Sequence, residues 1–377
     1  SVVSAGARRR STGDYPRVYD TLIGTPPYAG QRETWLILRL RALDNADALQ
    51  WRVTVGTTAL AAAQRIAAGL RGRGVRARVA TSTDIVEFER RIGRVALEPH
   101  NRRWRTARGD GGWVTAYAYQ PDGITSERLS QAWTLRADGV TQNITLFPDG
   151  HVSATLAVRT PQPPTVPPSV MLQTLPGEQA AAVAAAMCVA RPQLGGLRRG
   201  AIPSGLVIPI GPSGVLLGKL PSGERLLLPL GDPGESSRVH IASDDTIAKR
   251  IIIRAAAAGD RITIHSRDLQ RWDGVRMSQI AVSEQARPAS STTVSVVDGS
   301  VSVSPRPNTV ISVGPADTTS CPLADVVISQ TGPASIEVTT AGEVFQAEVE
   351  LFRAENRYLS TEPTEVRPEE PEWATQR

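Results

Sequence analysis

Lysine is nearly absent from this 377-residue chain: of 42 basic residues only Lys219 and Lys249 are lysines, and the rest are arginines. Together with the Ala, Gly and Pro usage, that bias marks a GC-rich genome. Cysteine is as scarce. Cys188 and Cys321 cannot frame so long a chain with disulfides, which excludes the small secreted scaffolds and points to a reducing, cytoplasmic compartment. Cys321, in Ser320-Cys321-Pro322, reads as an ordinary small residue and not as an activated thiol. Long apolar runs are missing too. The Ala-rich stretches near 59 and 180 are broken by Arg, Gln or Pro well short of the roughly 18 residues that a bilayer-spanning helix needs, so the residues present are expected to be water-soluble.

Histidine is limited to His100, His151, His240 and His265, none of them in a metal-ligand spacing such as His-Glu-x-x-His. His240 and His265 are expected on neighbouring parallel strands, where they read as a structural pair. No Gly-x-Ser-x-Gly elbow is present, and no Ser/His/Asp set stands out. Gly231-Asp232-Pro233-Gly234-Glu235 lacks the Gly-Lys-Ser/Thr of a phosphate loop, and its glycines precede a strand where that loop would follow one. The true strand-to-helix turn is Ala242-Ser243-Asp244-Asp245, whose carboxylates suit a helix N-terminus and repel phosphate. Asp44 and Asp47 superficially resemble the carboxylate pair with which sugar-nucleotide transferases hold a cation, yet both equally suit a first helical turn. Catalytic, cofactor and metal residues are therefore all expected to be none.

What is present is enough apolar residue, 41% of the chain, to build a core for each of two domains. The net charge of +5 is small for this length, and the arginines lie scattered along the chain, so nucleic acid is not expected as a partner. Trp51 and Trp272 are candidates for interface anchors or for core.

Periodicity predicts a mixed α/β (α+β) fold in two lobes. Residues 1–32 read as a lead-in. Residues 33–160 form a first α/β lobe: a strand at Trp35–Arg41, a helix capped by Asp44, and a second helix capped by Thr57 or Thr58. That second helix carries a stripe of Ala59, Ala63, Ile66, Ala67 and Leu70. A strand alternating Val75, Ala77 and Val79 with arginines follows, then a helix with Ile85, Phe88 and Ile92. This β-α-α-β-α unit joins an antiparallel meander that turns at Asp138-Gly139 and Asp149-Gly150. Residues 161–176, with Pro161, Pro163, Pro164, Pro167 and Pro168, are a linker or an extended strap. Residues 177–353 are a second, mostly β lobe: a helix from Glu178 to Val189, strands at Leu206–Ile210, Val215–Leu220 and Arg225–Leu230, and one β-α-β unit. That unit runs from Val239 through a helix capped by Ser243 or Asp244 and stopped by Gly259 to Ile262–His265. Residues 354–377 read as a flexible tail.

The chain opens on serine, and Arg8-Arg9-Arg10 follows closely. Such a basic cluster is what stays on the cytoplasmic side beside a membrane anchor, so an upstream anchor is expected.

Thr34-Trp35-Leu36-Ile37-Leu38-Arg39-Leu40, then Asp44-Asn45-Ala46-Asp47-Ala48-Leu49 and Ala61-Ala62-Ala63-Gln64-Arg65-Ile66-Ala67, resemble the EccE family of mycobacterial type VII (ESX) secretion systems. Val215-Leu216-Leu217-Gly218, Ile252 to Gly259, Ile262 to His265 and Arg271-Trp272 are similar too, so the likeness covers most of residues 33–275. The resemblance implies two membrane-spanning helices ahead of residue 1 and a body on the cytoplasmic side of the inner membrane. It also implies a place at the periphery of a complex of EccB, EccC, EccD and a mycosin protease, powered by the EccC ATPase. It carries no catalytic residue. The competing reading is a glycosyltransferase-like or nucleotide-binding enzyme of the cell envelope.

Overall fold

A computed structural model describes residues 1–8, 13–51, 54–231, 236–299, 301, 303–304, 309–316, 323–340 and 342–360. The chain divides into two compact units, one of Ser1–Arg8 with Thr25–Pro212 and one of Arg9–Gly24 with Ser213–Arg377. Each is mixed α/β, the expected class.

Strand β1 (Val2–Ala7) belongs to the first unit and helix α1 (Asp14–Ile23) to the second, so residues 1–32 are built into both units and are no mere lead-in. The first unit continues with β2 (Gln31–Leu36), α2 (Ala46–Gln50), α3 (Val55–Arg71), α4 (Ser82–Ile92), β3 (Ala107–Gly109), β4 (Gly112–Tyr119), α5 (Ser126–Gln131), β5 (Gly139–Leu146), β6 (His151–Thr160), β7 (Leu172–Thr174), α6 (Gln179–Ala184) and β8 (Gly200–Ala201). Its sheet runs β2-β1-β5-β6-β4-β3, all antiparallel, with β7 on β4 and β8 on β6. β1 thus lies inside the sheet. At Gly6 a side chain is impossible, because its Cβ would stand 1.8 Å from the Gln31 carbonyl oxygen across the ladder.

β4 shows why both faces of this sheet are covered. Alternate side chains leave a strand on opposite sides: Tyr117 and Tyr119 enter a cluster with Ile124, Leu129, Trp133 and Leu156. Val114 joins the other face with Phe88, Ile92 and Met187. α4 brings Phe88 there, stacked on Trp35 at 4.4 Å; its start is fixed by a reciprocal Thr81–Asp84 capping box and its end by Gly93 at φ 105°. Between the sheet and α6, Gln179 takes the Ala116 amide on Oε1 and donates to the Ala116 and Leu175 carbonyls.

Burial pushes the Tyr119 hydroxyl pKa up to about 12 from 10. A raised folded pKa stabilises the fold fully below pH 10 and loses that contribution as pH rises toward 12. Melting curves across this window should therefore lose on the order of 2 kcal/mol that the Tyr119→Phe protein, lacking the ionisable group, does not lose.

Several expected elements differ. The first strand ends at Leu36. Val75–Val79 joins no strand of the sheet, because alternation specifies a pleat and does not supply the neighbouring strand that a ladder needs. α3 is capped by Thr54, three residues upstream of Thr57, and of its expected stripe only Ala67 is buried. The helix at 178 is shorter, ending at Ala184, and Leu206–Ile210 forms no strand. The Pro-rich stretch 161–176 stays inside the first unit, held where β7 pairs with Tyr117–Tyr119; the passage to the second unit falls at Pro212–Ser213.

In the second unit the strands are β9 (Val215–Lys219), β10 (Arg225–Leu228), β11 (Ser237–Ala242), β12 (Ile262–His265), β13 (Ile280–Ser283), β14 (Val294–Asp298), β15 (Thr309–Gly314), β16 (Val326–Gln330), β17 (Ser335–Thr340) and β18 (Glu343–Glu348). They form one sheet, ordered β10-β9-β18-β17-β16-β11-β15-β14-β12-β13, whose run from β16 to β13 is parallel. Helix α7 (Asp245–Ala258) links β11 to β12, and Asp244 caps it through the Ile247 amide. It is buried from Ile247 to Ala258 and packs on β9 and α1. The expected β-α-β unit is present, but β15 and β14 lie between its two strands, so His240 and His265 are not neighbours. The short helix α8 (Leu269–Trp272) follows β12.

Candidate functional site

Open α/β sheets hold ligands outside the carboxyl ends of their parallel strands, where helix N-termini offer free amides. Here that edge is occupied by the protein's own side chains. Asp244 spends one carboxylate oxygen on the Ile247 amide and takes a hydrogen bond from Gln330, at the end of β16, on the other. Gln330 in turn accepts the Asp244 amide at 2.7 Å. Arg271 from α8 reaches across the edge. It donates to Asp245 at the start of α7 and, at 2.7 Å, to Asp298 at the end of β14.

Asp298 is the hub of this edge. Besides Arg271 it accepts the buried Trp272 indole N–H at 2.8 Å and the Ser266 hydroxyl at 2.8 Å. Lys249 stands 3.6 Å from Asp245. Partial burial pulls the Asp245 carboxyl up, but Arg271 and Lys249 outweigh it and hold its pKa below the ordinary range. Each acid at this edge therefore already has its cation or donor, and the α7 N-terminus is capped from within.

A second polar cluster joins three parts of the chain that are far apart in sequence. Glu355 is fully buried, in a short 3-10 turn at Arg353–Tyr358. Arg254 of α7, also fully buried, grips both of its oxygens at 2.8 Å, and Arg250 adds a contact at 3.3 Å. Tyr15 of α1 donates its hydroxyl to the same carboxylate at 2.8 Å. The remaining donors of Arg254 go to the Leu216 and Glu350 carbonyls, and Arg250 reaches Asn356 at 2.7 Å. Burial, and then the Glu355 charge, drive the Tyr15 pKa well above its usual value, so it stays a donor. Close packing continues beyond the turn: a Cβ on Gly274 would stand 1.9 Å from the Ser360 carbonyl oxygen. Glu355 is thus buried in the second unit and its turn is ordered by these contacts, unlike a flexible tail, while most of residues 354–360 stay at the surface; residues 361–377 lie outside the described residues.

The other candidates fall apart from one another. His240 meets Ser312 at 2.8 Å, with its Nε2 buried and unbonded. His265 is satisfied on both nitrogens, by the Gln285 carbonyl and Ser295. His100 and His151 sit at the surface beside Glu98 and Asp149. Asp44 pairs with Arg41 at 3.5 Å, and Asp47 is exposed. Among the described residues no three His, Cys, Asp or Glu converge in a group fit for a metal ion. Cys188 is a free thiol whose amide donates to Glu89. Trp272 is core, whereas Trp51 is 82% exposed. Arg8 is buried, bonded to the Pro26 and Trp133 carbonyls. Arg9, Arg10, Cys321 and Asp232–Glu235 lie outside the described residues. No described helix is long and apolar enough to cross a membrane.

The sequence reading missed Ser266, Asp298 and Glu355 as structural hubs. A lone acid in a β-rich or Pro-rich stretch carries no local mark of the arginine that will find it.

Comparison with known proteins bears on what such a closed edge serves. Residues 28–119 match the family model described as "Putative type VII ESX secretion system translocon, EccE". The chain is 50% identical to the ESX-2 secretion system protein EccE2 of Mycobacterium tuberculosis, over 96% of its own length and 72% of that protein's. It is 30% identical to the ESX-5 protein EccE5 of Mycobacterium marinum over 45% of its length, and 27% identical to the ESX-1 protein EccE1 of M. tuberculosis over 70%. It spans about half of those last two, 43% and 52% respectively.

Proposed function

Because the chain belongs to the EccE family of ESX secretion-system proteins, we propose that it is a non-enzymatic assembly subunit of a type VII secretion complex. The observation that supports this reading is the carboxyl edge of the parallel sheet. There Arg271, Asp245, Asp298, Asp244 and Gln330 bond to one another where a nucleotide-using relative of this fold class would bond to its ligand. An edge that satisfies itself stabilises the body and leaves the work of the subunit to its surfaces.

In the same reading the body stands on the cytoplasmic side of the bacterial inner membrane, anchored by a segment preceding Ser1. Its neighbours are EccB, EccC, EccD and the mycosin protease, and EccC supplies the energy. Membranes from cells carrying the tagged full-length protein test this. The tagged protein should sediment with membranes and co-purify with those subunits after mild detergent; recovery of the full-length protein free in the cytosol overturns it. The enzyme reading is tested on the 377-residue chain with Mn²⁺ and a panel of nucleotide sugars. Neither a thermal shift nor turnover is expected, and either one would replace the assembly reading with a transferase.

A further inference from the structure

The stretch from Arg41 to Thr83 carries seven arginines and two aspartates, with no lysine or glutamate, a surplus of five charges that equals the net charge of the whole chain. The rest of the protein sums to zero. From Thr54 to Thr83 there is no acid, and Arg65, Arg71, Arg73, Arg76 and Arg78 are all exposed. Asp44 is engaged by Arg41, and Asp84, just past the stretch, by Arg78, which leaves Asp47 as the stretch's remaining carboxylate.

The same stretch displays apolar side chains that a core would normally take. Leu43 is 85% exposed, Trp51 82%, Val55 60% and Leu60 47%. α3 buries only Thr58 and Ala67 in its length. Val55, Ala59, Ala62, Ile66 and Gly69 recur at alternating spacings of four and three, which places them along one helix face. A globular surface scatters such residues singly; here they gather on α3 and on the turns flanking α2, in a region with excess positive charge.

One kind of surface answers both features. Guanidinium groups take phosphate headgroups, an indole settles at the boundary between headgroup and acyl chain, and protruding Leu and Val side chains enter the layer below. A nucleic acid would use the arginines and strand the leucines in water. We propose that α2, α3 and their flanking turns form a peripheral contact with an anionic lipid surface. This rests on charge and exposure alone and stands apart from the secretion reading, since lipid contact is measured without any other subunit.

Sedimentation of the 377-residue chain with sucrose-loaded vesicles tests it. Partition onto vesicles containing phosphatidylglycerol should exceed that onto phosphatidylcholine alone by roughly tenfold or more and should weaken as salt is added. Two independent variants, Arg71→Glu with Arg73→Glu and Arg76→Glu, and Leu43→Glu with Trp51→Glu, should each remove about tenfold of that preference. All five positions are exposed, so unchanged melting temperature and near-ultraviolet dichroism separate lost contact from lost fold. No binding, equal binding to both vesicles, or binding indifferent to both variants overturns the proposal. So does self-association abolished by Ile66→Glu, or RNA binding, in the absence of vesicle binding; these would assign the face to a second copy or to nucleic acid.

Discussion

Glu355→Ala should destabilise the second unit by about 3–5 kcal/mol, the range seen when one partner of a buried ion pair is removed. Glu355 and Arg254 are both fully buried, and Arg250 is nearly so. Without the carboxylate, Arg254 keeps only its two backbone carbonyl partners at Leu216 and Glu350, and Tyr15 is left with a buried hydroxyl that has lost its acceptor. The cost is the desolvation of uncompensated cations, which exceeds what the pair itself is worth. For a unit of this size the melting transition should fall by roughly 10 °C.

Two companions decide whether charge or packing is responsible. Arg254→Met with Glu355→Leu replaces the pair by apolar volume and should recover most of the loss; if it is as unstable as Glu355→Ala, the electrostatic account fails. Truncation before Arg353 should behave like Glu355→Ala, since it removes the same carboxylate. Hydrogen exchange reports which unit responds: amides of α7 should lose protection, while those of β4, in the other unit, keep theirs. Loss of protection in both would show that the two units unfold as one.

What the sequence announced well was local. α7 is punctuated by Asp244 and Gly259, three-residue and one-residue devices that need nothing else in the chain, and it forms between them. α4 is equally self-contained, with its capping box and Gly93. Failures begin where a partner is required. Val75–Val79 alternates as a strand should, yet no edge receives it. His240 and His265 sit on parallel strands joined by one helix, but later strands β14 and β15 insert between them, and nothing near either histidine encodes that insertion. Glu355 lies 101 positions from Arg254 and 105 from Arg250, in a stretch whose charge and proline read as tail. The surplus at Arg41–Thr83 was legible throughout, but it consists in the scarcity of acids, and a scan for basic runs overlooks that. The self-satisfied carboxyl edge needed coordinates, because Arg271 joins an acid at the start of α7 to one at the end of β14.

That edge supplies the other large effect. Asp298→Ala removes one acceptor serving three donors: the Arg271 guanidinium, the Trp272 indole and the Ser266 hydroxyl. Trp272 is fully buried, so its N–H has no water to turn to, and Ser266 is buried as well. A loss of about 3 kcal/mol follows from one charge-assisted bond and one stranded buried indole N–H, while the Ser266 hydroxyl keeps the Asp268 carbonyl at 3.1 Å. Asp298→Asn keeps an oxygen for the indole or the hydroxyl and gives up only the charge that faces Arg271, so it should cost about 1–2 kcal/mol. Urea unfolding followed by tryptophan emission measures both, with the slope unchanged so that the midpoint alone carries the difference. The order of the two variants is the point. Were Asn as damaging as Ala, the ion pair with Arg271 would dominate the edge. The ranking expected here instead makes Asp298 chiefly the acceptor that fixes α8 over the strand ends, with Arg271 drawn across the place a ligand would occupy.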